Sequence, residues 1–431
     1  MEKFFKLREH GTTFQREIFA GLTTFLTMAY ILAVNPEMLG SIGKGMTPGA
    51  VFTATVISSA IATLVMALAA NLPVALAPGM GLNAFFTYTV VIGMKYSWQI
   101  ALTAVFLEGI LFVILSFFNV REAIVKAIPA NLKKAVSVGI GLFIALIGFG
   151  NAGIIIGNEA TLVSLGDLTT GKALLALIGL VIIIVLYANK VPGSILIGIL
   201  ATTLIGIPLG VTSIPENFSP LSLPAAPLFF KFDFSSVLSF EFFTVFFTFL
   251  FVDIFDTVGT LVGVSTQAGL INKNGDIPRV KQALLADAIG TVAGAALGTS
   301  TVTSYVESTA GVAAGGRTGL TSASTAFFFI VALFLSPLFL LVPTAATAPA
   351  LILVGFLMMK AVTDIDFSDP TEGIPAFLTI VIMPFAYSIA EGIVYGLLSY
   401  VILKTLTGKF RDITIVTWIL FVIFILRFFI K

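Results

Sequence analysis

Residues 247–264, FTFLFVDIFDTVGTLVGV, are as apolar and as long as a membrane-spanning helix, yet they contain two aspartates. Asp253 and Asp256 lie about one helical turn apart, and Thr257 and Thr260 extend the polar side of the helix. A carboxylate at bilayer depth costs about 3 kcal/mol or more, so it normally faces a partner, a cavity or a transported ion. We therefore predict that this helix forms the floor of a binding site.

The same helix carries Gly259 and Gly263, which form a GxxxG pair. Such a pair lets a neighbouring helix approach the backbone closely. This side of the helix is therefore suited to close packing.

The composition of the whole chain is that of a membrane protein with many helices. Of the 431 residues, 58% are hydrophobic and 10% are charged, and the mean hydropathy is +1.08. Apolar runs of about 20 residues, the length that crosses a bilayer, recur along the chain. The alternating pattern of a membrane barrel is absent. We predict an all-α polytopic protein of the plasma membrane.

Residue counts exclude several classes of function. The chain has no cysteine, and its one histidine is His10, so it has no disulfide framework, thiol nucleophile or His/Cys metal centre. The net charge is +1 without basic runs, which argues against nucleic-acid binding. No Walker motif occurs, so we do not expect ATP-driven transport. The charged N-terminal stretch leads into a full span, so we expect no cleaved signal peptide.

Two stretches, one in each half, interrupt the helical pattern. Residues 71–84 (NLPVALAPGMGLNA) contain two prolines and two glycines, and residues 298–319 (GTSTVTSYVESTAGVAAGGRTG) are polar and rich in small residues. Proline breaks a helix, and non-helical backbone at membrane depth is tolerated only where it is buried or lines a cavity. We expect each stretch to be an extended piece leading into a half-helix, the first over about residues 83–94.

The other apolar runs give the predicted spans. The first ends at Asn35-Pro36. The basic loops at 121–134, 273–281 and 404–411 are predicted to be cytoplasmic, as is the N-terminus. The final run, 413–430, is either an extra span or an interfacial helix. The predicted spans cover residues 18–34, 51–70, 99–117, 135–150, 172–187, 192–207, 247–264, 284–297, 320–342, 346–361, 374–387 and 389–406.

The two halves resemble each other weakly. VPGSILIGIL at 191–200 aligns with IAEGIVYGLL at 389–398, and the third element of each half is interrupted. Seven segments per half is an odd number, so the halves would cross the membrane in opposite senses. Matching interruptions in an inverted repeat indicate a substrate site near the middle of the membrane.

The acids within apolar or broken segments lie mainly in the second half. They are Asp253, Asp256, Asp287 and Glu307, whereas the first half has mainly Glu108. A structural role, as a helix cap or a partner of a nearby hydroxyl, is the alternative for each. We favour that role for Asp253 and leave it open for Asp287. For Asp256 and Glu307 we favour function, because they lie among glycines or at a break.

Glu307 is the leading candidate for ligand binding. It follows Tyr305 where a half-helix should begin, and free amides at a helix N-terminus bind polar groups. A carboxylate here could accept two N–H donors from a flat heterocycle and could also take up and release a proton. The residues thus indicate a secondary transporter of a small polar solute, coupled to a cation and without a bound cofactor or metal.

Three other functions are weighed against this one. An intramembrane aspartic protease needs its aspartates on two helices, but Asp253 and Asp256 share one, and the nearest Gly-Asp match ends at Asp167 in a polar loop. A channel fits the two broken elements less well. An anion carrier of a related fold should offer basic residues to its ligand, whereas these candidates are acidic.

Four motifs follow one another along the chain. They are GTTFQREIFAGLTTFLTMAYILAVNP (11–36), LAPGMGLNAFFTY (76–88), VDIFDTVGTL (252–261) and GTSTVTSYVESTAGVAAGGRTGLT (298–321). In this order they resemble the adenine/guanine/hypoxanthine permease branch of the nucleobase:cation symporters, and the resemblance covers essentially the whole chain.

The resemblance implies 14 segments in two inverted repeats of seven, with segments 3 and 10 formed by short strands and half-helices. It implies a core domain of segments 1–4 and 8–11 and a gate domain of segments 5–7 and 12–14. On this chain the core would comprise 14–118 and 237–341, and the gate 119–207 and 342–406. An extracellular link would cover 208–236, and a hydrophobic tail 407–431.

The resemblance also implies a nucleobase held between segments 3, 8 and 10. By motif, Asn83 lies on segment 3, Asp256 with Asp253 nearby on segment 8, and Glu307 on segment 10. The stretch after Glu307 is one residue longer than the Asn-x-Gly-Val of uracil-transporting relatives. Thr260 stands where many relatives have a histidine or second acid, which shifts the expected proton coupling onto the carboxylates named here.

The sequence therefore predicts a proton-coupled importer of purine bases rather than an enzyme. Guanine or hypoxanthine is favoured over adenine, sodium is left open as the coupling ion, and a homodimer is expected from the family. The predicted ligand contacts are Glu307, Asp256, Asn83, Ala84, Phe86, Tyr305 and Ser308, and the predicted proton-coupling residues are Glu307, Asp256, Asp253 and Asp287.

Overall fold

The structure, a computed structural model, describes residues 2–117, 129–169, 171–271 and 277–429. It is mostly helical. Within these ranges, ten helices are long and apolar enough to cross a membrane. The prediction of a polytopic helical membrane protein is therefore confirmed. Of its two small two-stranded sheets, one joins the two predicted breaks and the other, over residues 155–165, was not predicted.

The first half alternates long helices with short pieces. Its elements are α1 (Glu2–Phe5), α2 (Phe14–Met28), α3 (Ile31–Gly40), α4 (Pro48–Val65, continued as a π-helix over Met66–Ala70), β1 (Leu76–Pro78), α5 (Met80–Ala84, continued as a π-helix over Phe85–Gly93), α6 (Trp98–Phe117), α7 (Ala130–Asn151), β2 (Ile155–Asn158), β3 (Leu162–Leu165), α8 (Gly171–Ala188) and α9 (Ser194–Gly206).

The second half has the same mixture of long and short elements. They are α10 (Phe240–Gln267), α11 (Val280–Leu297), β4 (Val302–Ser304), α12 (Ser308–Ala313), α13 (Gly319–Ala332), α14 (Ser336–Leu340), α15 (Thr344–Met359), α16 (Pro370–Phe385), α17 (Ile389–Leu406) and α18 (Ile415–Phe429), with 3₁₀ turns at Leu333–Leu335, Lys360–Asp364 and Phe410–Asp412.

The two predicted interruptions meet each other as a buried antiparallel sheet of β1 and β4. The helix before each extended stretch ends at a residue with left-handed backbone, Asn71 (φ 54°) before β1 and Gly298 (φ 97°) before β4. Each strand leads into a short helix, α5 or α12, which confirms the prediction of an extended piece and a half-helix in both places. The paired residues are Leu76 with Ser304, Ala77 with Thr303, and Pro78 with Val302.

Side-chain hydroxyl groups accept hydrogen bonds from backbone amides of the extended stretch that contains β1. The Leu76 amide donates to Thr63 Oγ1 at 3.0 Å, and the Ala75 amide donates to Ser308 Oγ at 3.0 Å. Backbone groups without partners are costly at membrane depth, so such bonds allow a strand to exist there. They also tie β1 to α4 and α12.

The first span differs from its predicted end at Asn35-Pro36. α2 stops at Met28, the chain turns at Ala29 and Tyr30, and α3 continues through Pro36 to Gly40. A proline inside a helix removes its own N–H bond, and here the helix continues despite that loss. The break therefore comes earlier than the sequence indicated and places Tyr30 at the junction.

The helix α10 extends beyond its predicted bounds at both ends. Its glycine pair, which would allow a close approach, has no neighbour packed on it in the part of the chain that the structure describes. Gly259 and Gly263 are exposed, and a Cβ atom built on either would meet nothing within 4 Å. One side of α10 is therefore open.

The helices pack in two groups. In the first group, α2, α4 and α6 pack against α10–α13, and α3 packs on α4 and α5. In the second group, α7 and α8 pack against α15 and α16, α9 packs on α8, and α17 packs on α16. A smaller set of contacts joins the groups, including those of α10 with α7 and α17 and of α5 with α7. The site described below lies in the first group, close to these joining contacts.

Two regions outside the long helices add detail to the sequence prediction. β2 and β3 form an exposed hairpin where a loop was expected, and Asn158 Oδ1 accepts from the amides of Ala160 and Thr161 at its turn. The amide of Leu228, in the link at 208–236, donates to the Leu297 carbonyl at 2.9 Å. The link therefore lies against the end of α11.

Some predicted features lie outside the described residues. These are the basic-loop residues Arg121, Lys126 and Lys273, and Ile430 at the end of the last run. The rest of that run forms α18, which has 15 residues and packs on α17. A helix needs about 20 residues to cross a bilayer, so a second role for this run, at the interface, stays open as predicted.

Candidate functional site

Three distant parts of the chain converge where β1 and β4 pair. Glu307 immediately precedes α12, and Gly79 immediately precedes α5. Asp256 lies on α10, and its Oδ2 atom is 3.6 Å from where a Cβ would stand on Gly79. The sequence predicted this meeting of segments, and the structure brings Asp256 and Glu307 to the same place.

Gly79 is required by this close approach. A Cβ atom there would lie 2.6 Å from Thr303 Cγ2, nearer than real Cβ contacts occur. A larger residue would push the start of α5 away from β4. The glycine thus keeps the first turn of that helix beside Asp256.

Asp256 and Glu307 are the two second-half candidates that reach accessible space. Both are partly exposed, whereas Asp253 and Asp287 are fully buried. The carboxyl groups of Asp256 and Glu307 are close enough to interact electrostatically. Two nearby carboxylates repel each other when both are ionised. A proton, or N–H donors placed between them, would relieve this repulsion.

Tyr30 completes this group and was missed by the sequence analysis. Its hydroxyl donates a hydrogen bond to Glu307 Oε1 at 2.7 Å, and its side chain is only 1% exposed. The residue lies at the turn between α2 and α3, which the sequence did not predict. A hydroxyl-bearing aromatic residue in the middle of an apolar span was the available signal.

The buried acids form a second group, centred on Thr257. Its Oγ1 atom is 2.5 Å from Asp287 Oδ1, 3.4 Å from Asp253 Oδ1 and 2.7 Å from Thr303 Oγ1. These contacts connect α10, α11 and β4. They match the structural role that the sequence analysis favoured for Asp253 and left open for Asp287.

The structure buries Asn83 away from open space. Its Nδ2 atom donates to the Pro78 carbonyl at 3.3 Å, and its Oδ1 atom accepts from Ser300 Oγ. The backbone amide of Asn83 donates to the Gly79 carbonyl at 2.8 Å. Asn83 therefore holds α5 onto the two strands, and its polar groups already have partners within the chain.

The other predicted contacts are also buried around the site. Ala84 and Phe86 are fully buried, and the Phe86 ring lies 6.4 Å from that of Phe249. Tyr305 Oη donates to the Pro78 carbonyl at 2.5 Å, and the Ser308 amide donates to the Tyr305 carbonyl at 3.1 Å. Tyr305, two residues before Glu307, is thereby tied to the end of β1.

Two further carboxylates join elements within the same helix group. Glu108 Oε2 accepts from Thr301 Oγ1 at 2.8 Å. Glu17, which the sequence analysis did not single out, is fully buried on α2 and accepts from the amide and hydroxyl of Thr321, at 3.1 and 2.7 Å. A carboxylate at a helix N-terminus is favoured by the helix dipole. Glu17 thus fastens α2 to the start of α13.

Comparison with known proteins identifies the family. Residues 15–395 match the family described as the permease family. This chain belongs to that family. Membership makes it a transport protein rather than an enzyme, so the aspartic-protease alternative loses its support.

Full-length relatives agree with the resemblance that the motifs indicated. The putative permease MJ0326 of Methanocaldococcus jannaschii is 49% identical over 99% of this chain and 98% of its own. The guanine/hypoxanthine permease PbuG of Bacillus subtilis is 45% identical, covering 99% of each chain. The adenine permease AdeP of Escherichia coli is 44% identical, covering 99% and 95%. The predicted family branch is confirmed.

The fold of this permease also resembles a solved transporter structure. The transmembrane domain of the cyanobacterial bicarbonate transporter BicA superposes with a TM-score of 0.64 at 16% identity, covering 89% of this chain and 97% of that one. At this identity the likeness concerns the fold alone.

Proposed function

We propose that this permease imports purine bases by proton symport with alternating access. Its relatives named adenine and guanine/hypoxanthine permeases align over nearly its full length. The observation that carries the proposal is the pair of partly exposed carboxylates, Asp256 and Glu307, beside the β1–β4 sheet. Such a pair can both accept N–H groups and hold a proton.

Purine chemistry fits these acceptors. Hypoxanthine and guanine carry a hydrogen on ring nitrogen N1 as well as on the five-membered ring, so each offers N–H donors from two edges. Adenine has an acceptor at N1 instead. Ionised Glu307 and Asp256 would therefore favour the 6-oxopurines, with Asn83, Ala84, Phe86, Tyr305 and Ser308 forming the supporting wall. A well-formed site of this kind combines apolar walls with a few polar groups.

Alternating access would use the two helix groups as core and gate. On this proposal, α2–α6 and α10–α14 form segments 1–4 and 8–11, and α7–α9 with α15–α17 form segments 5–7 and 12–14. The sparse contacts between the groups, and the open side of α10 at Gly259 and Gly263, support movement of one group against the other. The inverted repeats, the cytoplasmic N-terminus and a homodimer belong to the same proposal.

Uptake into proteoliposomes tests the function. Labelled hypoxanthine should accumulate when the outside is made more acidic than the inside, and a protonophore should abolish accumulation. A sodium gradient imposed without a pH gradient separates the two coupling ions. Equal labelled hypoxanthine in protein-free and protein-containing vesicles under the pH gradient would refute the proposal.

An anion carrier is the second candidate, because a bicarbonate transporter shares the fold. Glu307 and Asp256 would repel an anion at this site. A thermal-shift comparison separates the candidates, since the purine importer should be stabilised by hypoxanthine and not by bicarbonate or sulfate at matched ionic strength. The reverse pattern would favour the anion carrier.

A further inference from the structure

Three side-chain hydrogen bonds cross between the two helix groups, and each joins one residue of the first group to one of the second. They run from Thr344 Oγ1 to Glu37 Oε1 (3.0 Å), from Asn151 Nδ2 to Tyr88 Oη (3.1 Å) and from Thr89 Oγ1 to the Tyr387 carbonyl (3.4 Å). We call these six residues the seam latch.

The seam latch lies on one side of the candidate site. Tyr30, the partner of Glu307, immediately precedes α3, and Glu37 lies about two turns further along that helix. Gly79 immediately precedes α5, and Tyr88 lies about two turns further along its π-helical continuation. Both helices therefore lead from the site towards the latch.

The same side carries the link at 208–236, so we call it the link end. Trp98 Nε1, at the start of α6, donates to the Lys44 carbonyl, in the turn after α3, at 3.0 Å. A Cβ atom built on Gly49, at the start of α4, would lie 3.2 Å from Cβ of Ala225 in the link. The ends of α3 and α5 and the link are thus neighbours.

Beyond the site in the opposite direction, α10 is open. This helix begins at Phe240, soon after the link, and passes Asp256 before it reaches Gly259 and Gly263. Open space faces both glycines. The structure is therefore closed by the seam latch at the link end and open on the other side of the site.

Glu37 is the charged member of the seam latch. Its Oε2 atom is buried and accepts no hydrogen bond from the described residues. Thr347 also faces the carboxylate, but its hydroxyl donates to the Thr344 carbonyl at 3.0 Å, and Lys172 on α8 is close enough to interact electrostatically. The Thr344 hydroxyl is therefore the donor on which the buried carboxylate depends. Removing the partner of a buried charge is strongly unfavourable.

We propose that the seam latch holds the two helix groups together at the link end and must open before the site can be reached from that end. This inference rests on the alternating access of the proposed function. Its consequence is that a weaker contact between Glu37 and Thr344 shifts the protein towards a conformation that is open at the link end and closed on the other side.

Thr344→Val tests the latch, because valine keeps the shape of threonine and removes the donor. The Glu37 carboxylate then lacks its hydrogen bond in the closed seam, whereas water can solvate it when the seam is open. The population of the open seam should rise roughly tenfold, as expected from losing a hydrogen bond to a charged group.

Single cysteines at two positions of this cysteine-free chain measure the shift. Thr89→Cys reports on the seam, where Thr89 is 5% exposed, and Gly259→Cys reports on the open side of α10. In purified protein without any base, Thr344→Val should make a water-soluble maleimide label Thr89→Cys roughly tenfold faster and Gly259→Cys about twofold slower. Melting temperature is measured in parallel to show that each variant folds.

Thr379→Val is the matched control. Thr379 is buried on α16 of the second group, and its hydroxyl donates to the Pro375 carbonyl of its own helix at 2.8 Å. Both labelling rates should stay at their wild-type values. Glu37→Gln sharpens the test, because Thr344→Val should then change labelling of Thr89→Cys less than about threefold, since no charge is left without its donor.

Three results would overturn the proposal. Unchanged labelling of Thr89→Cys in Thr344→Val would mean that the contact does not hold the seam closed. Faster labelling at both positions would mean that the substitution only loosens the structure. An equally large effect of Thr344→Val in the Glu37→Gln background would exclude the carboxylate as its partner. Failure of wild type to take up hypoxanthine is a different result, because it removes the proposed substrate while the labelling is measured without any base.

Discussion

α10 carries two aspartates one turn apart, and the fold treats them differently. Asp256 is partly exposed and shares its surroundings with Glu307, whereas Asp253 is fully buried beside Thr257 and close to the equally buried Asp287. The two aspartates are the same residue type and lie three residues apart on one helix. The difference lies in what faces each of them.

The comparison separates acids that can meet a ligand from acids that hold elements together. Thr257 has a single hydroxyl proton, so it can donate to Asp287 or to Asp253 but not to both at once, and the shorter distance favours Asp287. The buried group thereby links α10 to α11. Asp256 and Glu307, both partly exposed, are the pair that we propose for N–H donors and protons.

The largest expected effect follows from Glu307→Gln. The amide keeps the size of the side chain but loses the charge and one acceptor, and it cannot release a proton. Hypoxanthine uptake should fall roughly 100-fold, as expected from losing hydrogen bonds to a charged group. Initial uptake rates measure this, with equal incorporation confirmed by immunoblotting.

If Glu307 acts in binding rather than in stability, Glu307→Gln should leave folding intact. Its melting temperature should stay within about 2 °C of wild type, because the replaced side chain is partly exposed. Uptake within threefold of wild type would remove Glu307 from the binding site.

Asp256→Asn should have the next largest effect. We expect roughly tenfold weaker hypoxanthine affinity, the value of one hydrogen bond to a charged acceptor. Competition binding measures it. Glu9→Gln is the control, because Glu9 is an exposed acid whose partner is Lys6 at 3.0 Å. If both variants bind alike, Asp256 does not contact the base.

Much of the fold could be predicted because proline, glycine and apolar runs act locally. Pro73 and Pro78 prevent a helix where β1 lies, and long apolar runs specify the spans. The pairing of β1 with β4 could not be derived from local signals, since more than 200 residues separate Leu76 from its partner Ser304. The turn at Ala29 and Tyr30 also could not be predicted, because neither residue is a proline or a glycine.

The sequence could predict only those site residues whose type is unusual in an apolar segment. A carboxylate within an apolar segment is costly and therefore conspicuous, so Asp256 and Glu307 were found. A tyrosine is ordinary in such a segment, so Tyr30 was missed. Likewise, the GxxxG pair of Gly259 and Gly263 permits close packing but does not reveal whether a helix or open space faces it.

Thr257→Val should affect stability more than recognition. The substitution keeps the shape but removes the hydroxyl shared by Asp287, Asp253 and Thr303. Leaving buried polar groups with fewer partners costs about 1–3 kcal/mol, so the melting temperature should fall by several degrees. Hypoxanthine affinity should change less than threefold.

Thr266→Val is the matched control for that experiment. Thr266 lies on the exposed side of the same helix, and its hydroxyl donates only to the backbone carbonyl of Val262 in the described structure, at 2.7 Å. Its melting temperature should be close to that of wild type. A tenfold loss of hypoxanthine affinity in Thr257→Val with unchanged stability would assign the buried group to recognition. The distinction between binding acids and structural acids would then be wrong.

The smallest effect concerns the open side of α10, and the lack of native cysteine makes it measurable. Gly259 lies three residues after Asp256, hence on the same side of the helix, and open space faces it. Gly259→Cys should react with a water-soluble maleimide several-fold faster than Ser265→Cys, whose site on the same helix is 1% exposed. Hypoxanthine should slow the first reaction and leave the second unchanged, because a base bound at Asp256 restricts access to its own side only. Equal labelling rates would show that α10 does not present an open side, and labelling of Gly259→Cys that hypoxanthine does not slow would place the base elsewhere.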